Sequence, residues 1–318
     1  MGIVSVQPTA VASLPDVLDT LAPGARLRTL VRTATDPVTM VPLLAVRGTQ
    51  AGPTVVVTAG VHGAEYASIV AAYRLAERGP EELAGMLVVL PIVNRPSFAA
   101  RSIYVNPIDG LNLNRQFPGD AGGSFAQQLA IWLMDGWVRH ADAFIDLHGG
   151  DLNEALTPFV LHARGDARAE ELAHVFGIPY VVASGSPGHS YSGATALGVP
   201  AVLAEAGGQG SFSERDVLTL VDGTERVMRH LGMRDGTVAP RATIAIDRFE
   251  VLTSDVEGAW YPTVRLGSRV EAGERLGVVR DLLGDVIQDV AAPVTGTVLY
   301  YVASLAINEG DPLVGVGA

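Results

Sequence analysis

The chain has no cysteine, and all 22 of its basic residues are arginine. Without thiols there can be no disulfide, no thiolate metal ligand and no cysteine nucleophile. Without lysine there is no Schiff-base chemistry, no phosphate-loop lysine and no lysine-tethered prosthetic group. The absence of lysine also fits a base-composition bias in the source. Positive charge is scarce, leaving a net charge of −12. That balance argues against nucleic acid or an anionic membrane as partner. It leaves room for an anionic small substrate, because a few placed arginines set the local field. No apolar run reaches the roughly 18 residues of a membrane span. Residues 1–20 lack a basic segment followed by an apolar one, so no signal peptide is expected. Val6 stands where a myristoylation signal after Gly2 would need Ser or Thr. A cytoplasmic protein is expected.

What is present is enough for a large core. The chain has 318 residues, 48% of them hydrophobic and 18% charged. It is therefore expected to be globular, longer than most single domains and self-sufficient without staples. Strand-like runs at Arg26–Thr33, Met40–Val46, Val55–Val57, Met86–Val93, Ala143–Leu147, Pro158–His162, Tyr180–Ala183 and Ala201–Ala204 punctuate the chain. Helical spacing is read at Leu14–Leu21, Ala64–Arg78, Phe125–His140, Arg168–Phe176 and Glu214–Leu231. Alternation of the two from 54 to 231 predicts an α/β sheet flanked by helices. Pro96 is expected to force an extended exit from the strand that ends near Asn94. The Gly/Pro/Asn-rich stretch 94–124 reads as one long functional loop, and Ser184–Ser192 as a Gly/Ser-rich loop holding His189, Tyr191 and Ser192. After Gly236 the rhythm changes to short strands and glycine turns. The predicted domains are residues 1–240, an α/β unit that carries the candidate site, and residues 241–318, an all-β unit. The tail resembles the flattened β-barrel of lipoyl and biotinyl carriers, but it has no lysine to carry a group.

The chemistry is expected at strand ends, where open α/β sheets place their sites. GVHGAE puts His62 and Glu65 three residues apart after the Val55 strand, so one helical turn would bring both to one point. An imidazole and a carboxylate together suit zinc. The motif alone is also compatible with an ordinary turn facing water. DLHGG ends another strand and supplies His148 as a third ligand, leaving a position for water. Asp146 points the same way along that strand and is expected to orient a ligand imidazole. Glu205, delivered by apolar Val202–Ala204, is the candidate general base. Arg115, with Asn114, is the candidate anchor for a substrate carboxylate, since arginine holds such a group with two parallel hydrogen bonds.

GVHGAE, NLNRQFPG, DLHGG and EAGG, in this order, resemble the succinylglutamate desuccinylase and aspartoacylase family, a branch of the zinc carboxypeptidase-like (M14) fold. The resemblance covers roughly residues 40–235, and the β-rich tail also fits. It implies an α/β/α sandwich with a mixed sheet plus a C-terminal barrel-like domain. It implies one Zn2+ per chain held by His62, Glu65 and His148, with Glu205 as base. It further implies substrate binding by Asn114, Arg115 and, just before them, Arg101. The family often writes aspartate before LNR, where this chain has Asn112. The expected activity is removal of an acyl group from a small N-acyl amino acid or related amine carrying a free carboxylate. A peptide carboxypeptidase and an inactive binding protein of the same fold are the alternatives, and a homo-oligomer is left open.

Overall fold

The structure is a computed structural model that describes residues 3–4 and 11–318. The positions read for a myristoylation signal, Gly2 and Val6, lie outside the described residues, as does part of the stretch read for a signal peptide. In chain order, β1 (Ile3–Val4) and α1 (Leu14–Thr20) lead into β2 (Arg26–Arg32) and β3 (Met40–Arg47). Then come β4 (Gln50–Ala59), α2 (Tyr66–Leu75), β5 (Ala84–Leu90), α3 (Arg95–Ala100) and α4 (Phe125–Gly136). They are followed by β6 (Ala143–His148), β7 (Glu154–Leu156), β8 (Phe159–Ala163), α5 (Ala167–Phe176) and β9 (Tyr180–Ser184). The α/β part finishes with α6 (Ser190–Ala196), β10 (Ala201–Glu205), α7 (Glu214–His230) and β11 (Ile244–Ile246).

Ten of these strands form one mixed sheet in the order β1-β2-β3-β5-β4-β6-β10-β8-β9-β11. Its centre, β5-β4-β6-β10, is parallel, so the carboxyl ends of β4, β6 and β10 lie side by side. Val55, Val56 and Val57 are wholly buried, as a strand covered on both faces requires. Val56, Phe144 and Leu203 pack on one face with Leu14, Leu129 and Ala194 of α1, α4 and α6. Val57, Ile145 and Val202 pack on the other with Ala71, Leu172 and Leu220 of α2, α5 and α7. Each such side chain contributes roughly 1.5–3 kcal/mol by leaving water. The arrangement is an α/β/α sandwich.

The tail adds β12 (Phe249–Thr253), β13 (Gly258–Pro262), β14 (Arg269–Val270), β15 (Arg275–Arg280) and β16 (Val286–Ala291). It ends with β17 (Gly296–Val302), β18 (Ala306–Ile307) and β19 (Pro312–Gly317). These strands form two antiparallel sheets around a core of their own that includes Trp260, Leu276 and Val314. Two strands cross between the parts. β7 leaves the α/β segment to pair with β17, and β11, beyond residue 240, extends the large sheet at β9.

Local expectations differ from the structure at three places. His62 and Glu65 do not lie on one turn of helix. They lie in the β4–α2 turn, where Glu65 is the N-cap and the helix begins at Tyr66. Pro96 does not extend the chain but opens α3, because a missing N–H costs nothing in a first helical turn. Asn94 caps that helix, its side chain accepting from Ser97 N at 3.3 Å. The stretch 94–124 is therefore not all loop, and the Ser184–Ser192 loop ends early, since α6 starts at Ser190.

Candidate metal centre and active site

Strand register explains which side chains meet. Thr58 and Asp146 are partners across β4 and β6, and His148 and Glu205 are partners across β6 and β10. Asp146, His148, Leu203 and Glu205 thus share the face that carries α6. The turn after β4 brings His62 and Glu65 to the same point. Gly63 permits the approach: a Cβ there would stand 2.0 Å from Phe98 N at the start of α3.

His62, Glu65 and His148 each offer a ligand atom, and these atoms lie within 4.8 Å of one another. Glu65 sits between the rings, with Oε1 2.7 Å from His62 Nδ1 and Oε2 2.9 Å from His148 Nδ1. Gly149 N donates to Glu65 Oε2 at 3.2 Å. The His148 Nδ1 is buried yet makes no hydrogen bond of acceptable geometry, even to the nearby glutamate. The opposite ring nitrogens are both held by oxygens. His62 Nε2 donates to Asn112 Oδ1 at 3.0 Å, and His148 Nε2 to Asp146 Oδ2 at 3.0 Å. A proton on each Nε2 leaves both Nδ1 lone pairs free to ligate. Asp146 is itself clamped, Thr58 Oγ1 donating to Oδ1 at 2.6 Å and Ser190 Oγ to Oδ2. The donor set, an orphaned buried nitrogen and two oriented imidazoles fit a divalent metal ion.

Charges in this cluster are strongly coupled. Burial alone would raise the Glu65 carboxyl, but the facing imidazoles of His148 and His62 outweigh it and hold it at about 2. Burial would likewise lower the His148 imidazole, yet Glu65 and Asp146 drive it well above the usual histidine range. Glu205 Oε2 is buried with no hydrogen-bond partner. Burial first, then the charges of Glu65, Glu154 and Asp146, push its carboxyl well above the ordinary value, opposed only by His148. A carboxylate so placed has a high proton affinity and faces the same space as the metal-ligand cluster.

That space is a cavity of about 400 Å³. Of the sequence-predicted residues, His62, Glu65, Asn114, Arg115 and Glu205 line it. His148 lies just behind Glu65, wholly buried. Arg115 ends a short 3-10 turn, Leu113–Arg115, and its Nη1 donates to Asn114 O at 2.8 Å. Burial lowers its pKa against the pull of Tyr191, Tyr300, Glu205 and Glu154, and it forms no ion pair with a described residue. Asn114 is buried and its Oδ1 accepts from Ser190 N at 2.9 Å, so its NH2 is the end left for a ligand. Arg101 is not brought to the cavity. It is the exposed C-cap of α3, with φ 54°, and it does not line the cavity although Tyr104 and Val105, just after it, do.

His189, which the sequence places in the Ser184–Ser192 loop without a role, lines the cavity; burial and the Arg115 charge lower it to about 4, so it is neutral. It stacks on buried Tyr191 with ring centroids 5.3 Å apart. Several other lining residues escape sequence reasoning: Tyr104, Glu154 and Tyr300, with Phe249, Val251 and Pro312 from the tail. The pairing of β7 with β17 brings Tyr300 to the cavity, and nothing in either segment announces that pairing. Glu154 alone had a signal, as an acidic residue six positions after His148 in HGGDLNE.

Comparison with known proteins gives a consistent picture. Residues 51–231 match the model of the succinylglutamate desuccinylase/aspartoacylase catalytic domain. The chain is 31% identical over 257 residues to the N-alpha-acetyl-L-2,4-diaminobutyric acid deacetylase of Halomonas elongata, covering 76% of this chain and 75% of that protein. The product-bound structure of the ectoine utilization protein EutE (DoeB) from Ruegeria pomeroyi superposes with a TM-score of 0.82 at 28% identity, over 92% of this chain and 95% of that one. A succinylglutamate desuccinylase/aspartoacylase structure from Rhodobacter sphaeroides superposes with a TM-score of 0.81, also at 28% identity and over 92% and 95% of the two chains. The mixed α/β sheet with added antiparallel sheets at the C-terminus is the fold of those proteins.

Proposed function

We propose that this chain, which belongs to the succinylglutamate desuccinylase/aspartoacylase family, is a zinc-dependent deacylase of small N-acyl amino acids with a free carboxylate. The observation that carries the reading is the convergence of three ligand atoms within 4.8 Å beside the unpartnered carboxylate of Glu205, in one cavity. The named relatives are a deacetylase and a desuccinylase/aspartoacylase, which supports amide hydrolysis over mere binding.

His62, Glu65 and His148 would hold the zinc, and Asn112 and Asp146 would orient its two imidazoles. Zinc supplies Lewis acidity and a water of lowered pKa when bound. Glu205 takes the proton of the attacking water and returns it to the leaving amine, a shuttle its raised proton affinity suits. Arg115 and the Asn114 NH2 hold the substrate carboxylate and so fix the amide relative to Glu205. The residues from 241 onward form the proposed second domain, whose Phe249, Val251, Tyr300 and Pro312 wall the cavity and bound the size of what enters. That enclosure favours small molecules over peptides.

The test is a panel of acetyl, succinyl, formyl and aromatic acyl amino acids against dipeptides, run on protein of measured zinc content. Turnover confined to N-acyl amino acids and dependent on zinc is expected. Preferential release of C-terminal residues from peptides would replace the reading with a carboxypeptidase, and no hydrolysis at full zinc occupancy would replace it with a binding protein.

A further inference from the structure

The two most exposed large apolar side chains among the described residues are neighbours in the chain. Leu282 and Leu283 are 98% and 90% exposed, at the tip of the β15–β16 hairpin. The tip is an ordered turn. Asp281 Oδ1 accepts from Leu283 N and from Asp285 N, both at 2.9 Å, and Arg280 Nη1 donates to Gly284 O at 2.7 Å. Arg280 itself lies over the Tyr261 ring, 5.7 Å from its centroid. Turn chemistry accounts for Asp281, which ties the backbone, and for Gly284, whose φ is 96°. It does not call for leucine at 282 or 283, where polar side chains would serve the turn equally and leave no apolar surface in water. The partly exposed Val286 and Ile287 extend that surface along β16, and Asp281 and Asp285 flank the leucines with negative charge.

A groove of about 490 Å³ elsewhere on the molecule has the matching character. Its floor is Phe176 and Ile178, both buried, and Leu218 of α7 stands exposed beside them. Arg215 and Arg241 line it as well. Arg241 pairs with Asp222 at 2.7 Å, but Arg215 makes no ion pair with a described residue. Arg226 adds a third guanidinium behind Gly177, where burial first, and then the Arg241 charge, lower its pKa. Three arginines against one aspartate make a positive island on a chain of net charge −12. Tip and groove therefore match twice, leucines to an apolar floor and aspartates to arginines. The tip does not fill the groove of its own chain, since its leucines stand in water. We propose that the chain forms a homodimer in which Leu282 and Leu283 of one copy seat in the groove beside Arg215 and Leu218 of a second copy. A two-fold axis closes the contact, each copy giving one tip and receiving another. Two molecules of charge −12 repel at long range, and pairing of Asp285 with Arg215 supplies the local attraction that their approach requires.

The experiment is sedimentation velocity of the full chain over about 1 to 100 μM, where a dimer should appear as concentration rises. Leu283→Asp changes a side chain that the fold leaves in water, and it should weaken dimerisation by roughly 100-fold, the scale of a central apolar anchor. Arg215→Glu should weaken it by roughly tenfold, and adding Asp285→Arg to that variant should restore most of the loss. The chain has no cysteine of its own, so introduced thiols can react only with each other. Leu283→Cys protein mixed with Leu218→Cys protein should form a disulfide-linked pair on mild oxidation, faster than either protein does alone. A monomer at every concentration would overturn the inference and assign tip and groove to some other partner. A dimer indifferent to Leu283→Asp would overturn it too. Cross-linking of Leu283→Cys chiefly with itself would replace it with tip-to-tip pairing along the open edge of β16. A dimer lost in Leu283→Asp but untouched by Arg215→Glu would move the tip to a different surface and overturn the groove assignment.

Discussion

Burying a carboxyl in this cavity lowers stability by an amount that depends on pH. Glu154 is the clearest case, with a carboxyl raised from an ordinary 4.5 to about 7 by burial, Glu65 and Asp151, with Tyr104 opposing and Tyr300, Arg115 and Glu205 nearby. Between those two pH values the folded state keeps a proton that the unfolded chain has lost. Stability must therefore fall as pH rises through that window. At about 1.4 kcal/mol per unit, the loss reaches up to about 3 kcal/mol above pH 7. Glu154→Gln should recover most of it at pH 8 and little at pH 4.5, read from denaturant melts of metal-stripped protein. Equal effects at both pH values would mean that Glu154 is solvated in the fold. Glu205 poses the complementary question. Glu205→Gln should keep its zinc by elemental analysis and lose about a hundredfold or more in kcat, the scale of a lost general base. Loss of metal in that variant would make Glu205 a ligand. Asp146→Ala should act through His148 and weaken zinc affinity by about 10- to 100-fold, measured by competition with a chelator. Unchanged affinity would mean that the strand alone orients the ring.

At the scale of elements, the site depends on how closely the β4–α2 turn meets α3. Gly63 N donates to Ser97 Oγ at 3.2 Å, and its Cα faces the backbone of Ser97 and Phe98 with no room for a methyl group. Gly63→Ala should therefore cost about 2–4 kcal/mol and displace His62 and Glu65. Urea midpoints and zinc titration would show this, and a wild-type zinc affinity in the variant would mean that α3 yields without moving the ligands. The helices α3 and α6 are not legible in the sequence because both are short and set in loop-like composition, whereas the equally short α1 shows an apolar stripe. Six- and seven-residue helices carry too little periodicity to stand out from loops rich in Pro, Ser and Gly. The first residue of α6 nevertheless matters to the site, since Ser190 donates to both Asp146 and Asn114.

For the whole molecule, the tail is part of the cavity as well as an appendage. Leu299 and Ile246 belong to the core of the large sheet, and Phe249 packs on Phe159 with centroids 5.6 Å apart. A chain ending at Arg241 should keep the three ligand residues but lose Tyr300, Phe249, Val251 and Pro312 from the wall. Its kcat/KM on small N-acyl amino acids should fall at least tenfold, roughly the effect of losing one buried contact. Phe249→Ala, in the intact chain, should lower it in the same direction. Full activity in both would make the tail irrelevant to catalysis. Among the described residues no helix is long and apolar enough to cross a membrane.

The residues of the candidate metal cluster, and the strands that deliver them, could be read from the chain. Local rules govern them: β-branched runs make buried strands, parallel strands place polar ends together, and His, Glu and His at such ends form a ligand set. Asp146 was legible for the same reason, because alternate residues on a strand face one way. The other side of the cavity was not legible. Glu154, Tyr104, Tyr300 and Phe249 come from four separated segments, and long-range pairing of β7 with β17 and packing of the tail join them. Arg101 shows the same limit from the other direction. It stands close to Arg115 in the chain, yet one left-handed residue at the end of α3 turns it to solvent. Spacing along the chain reports on neighbours within an element. Which distant segments face one another across 400 Å³ of cavity is decided by packing of the whole, where no local periodicity records it.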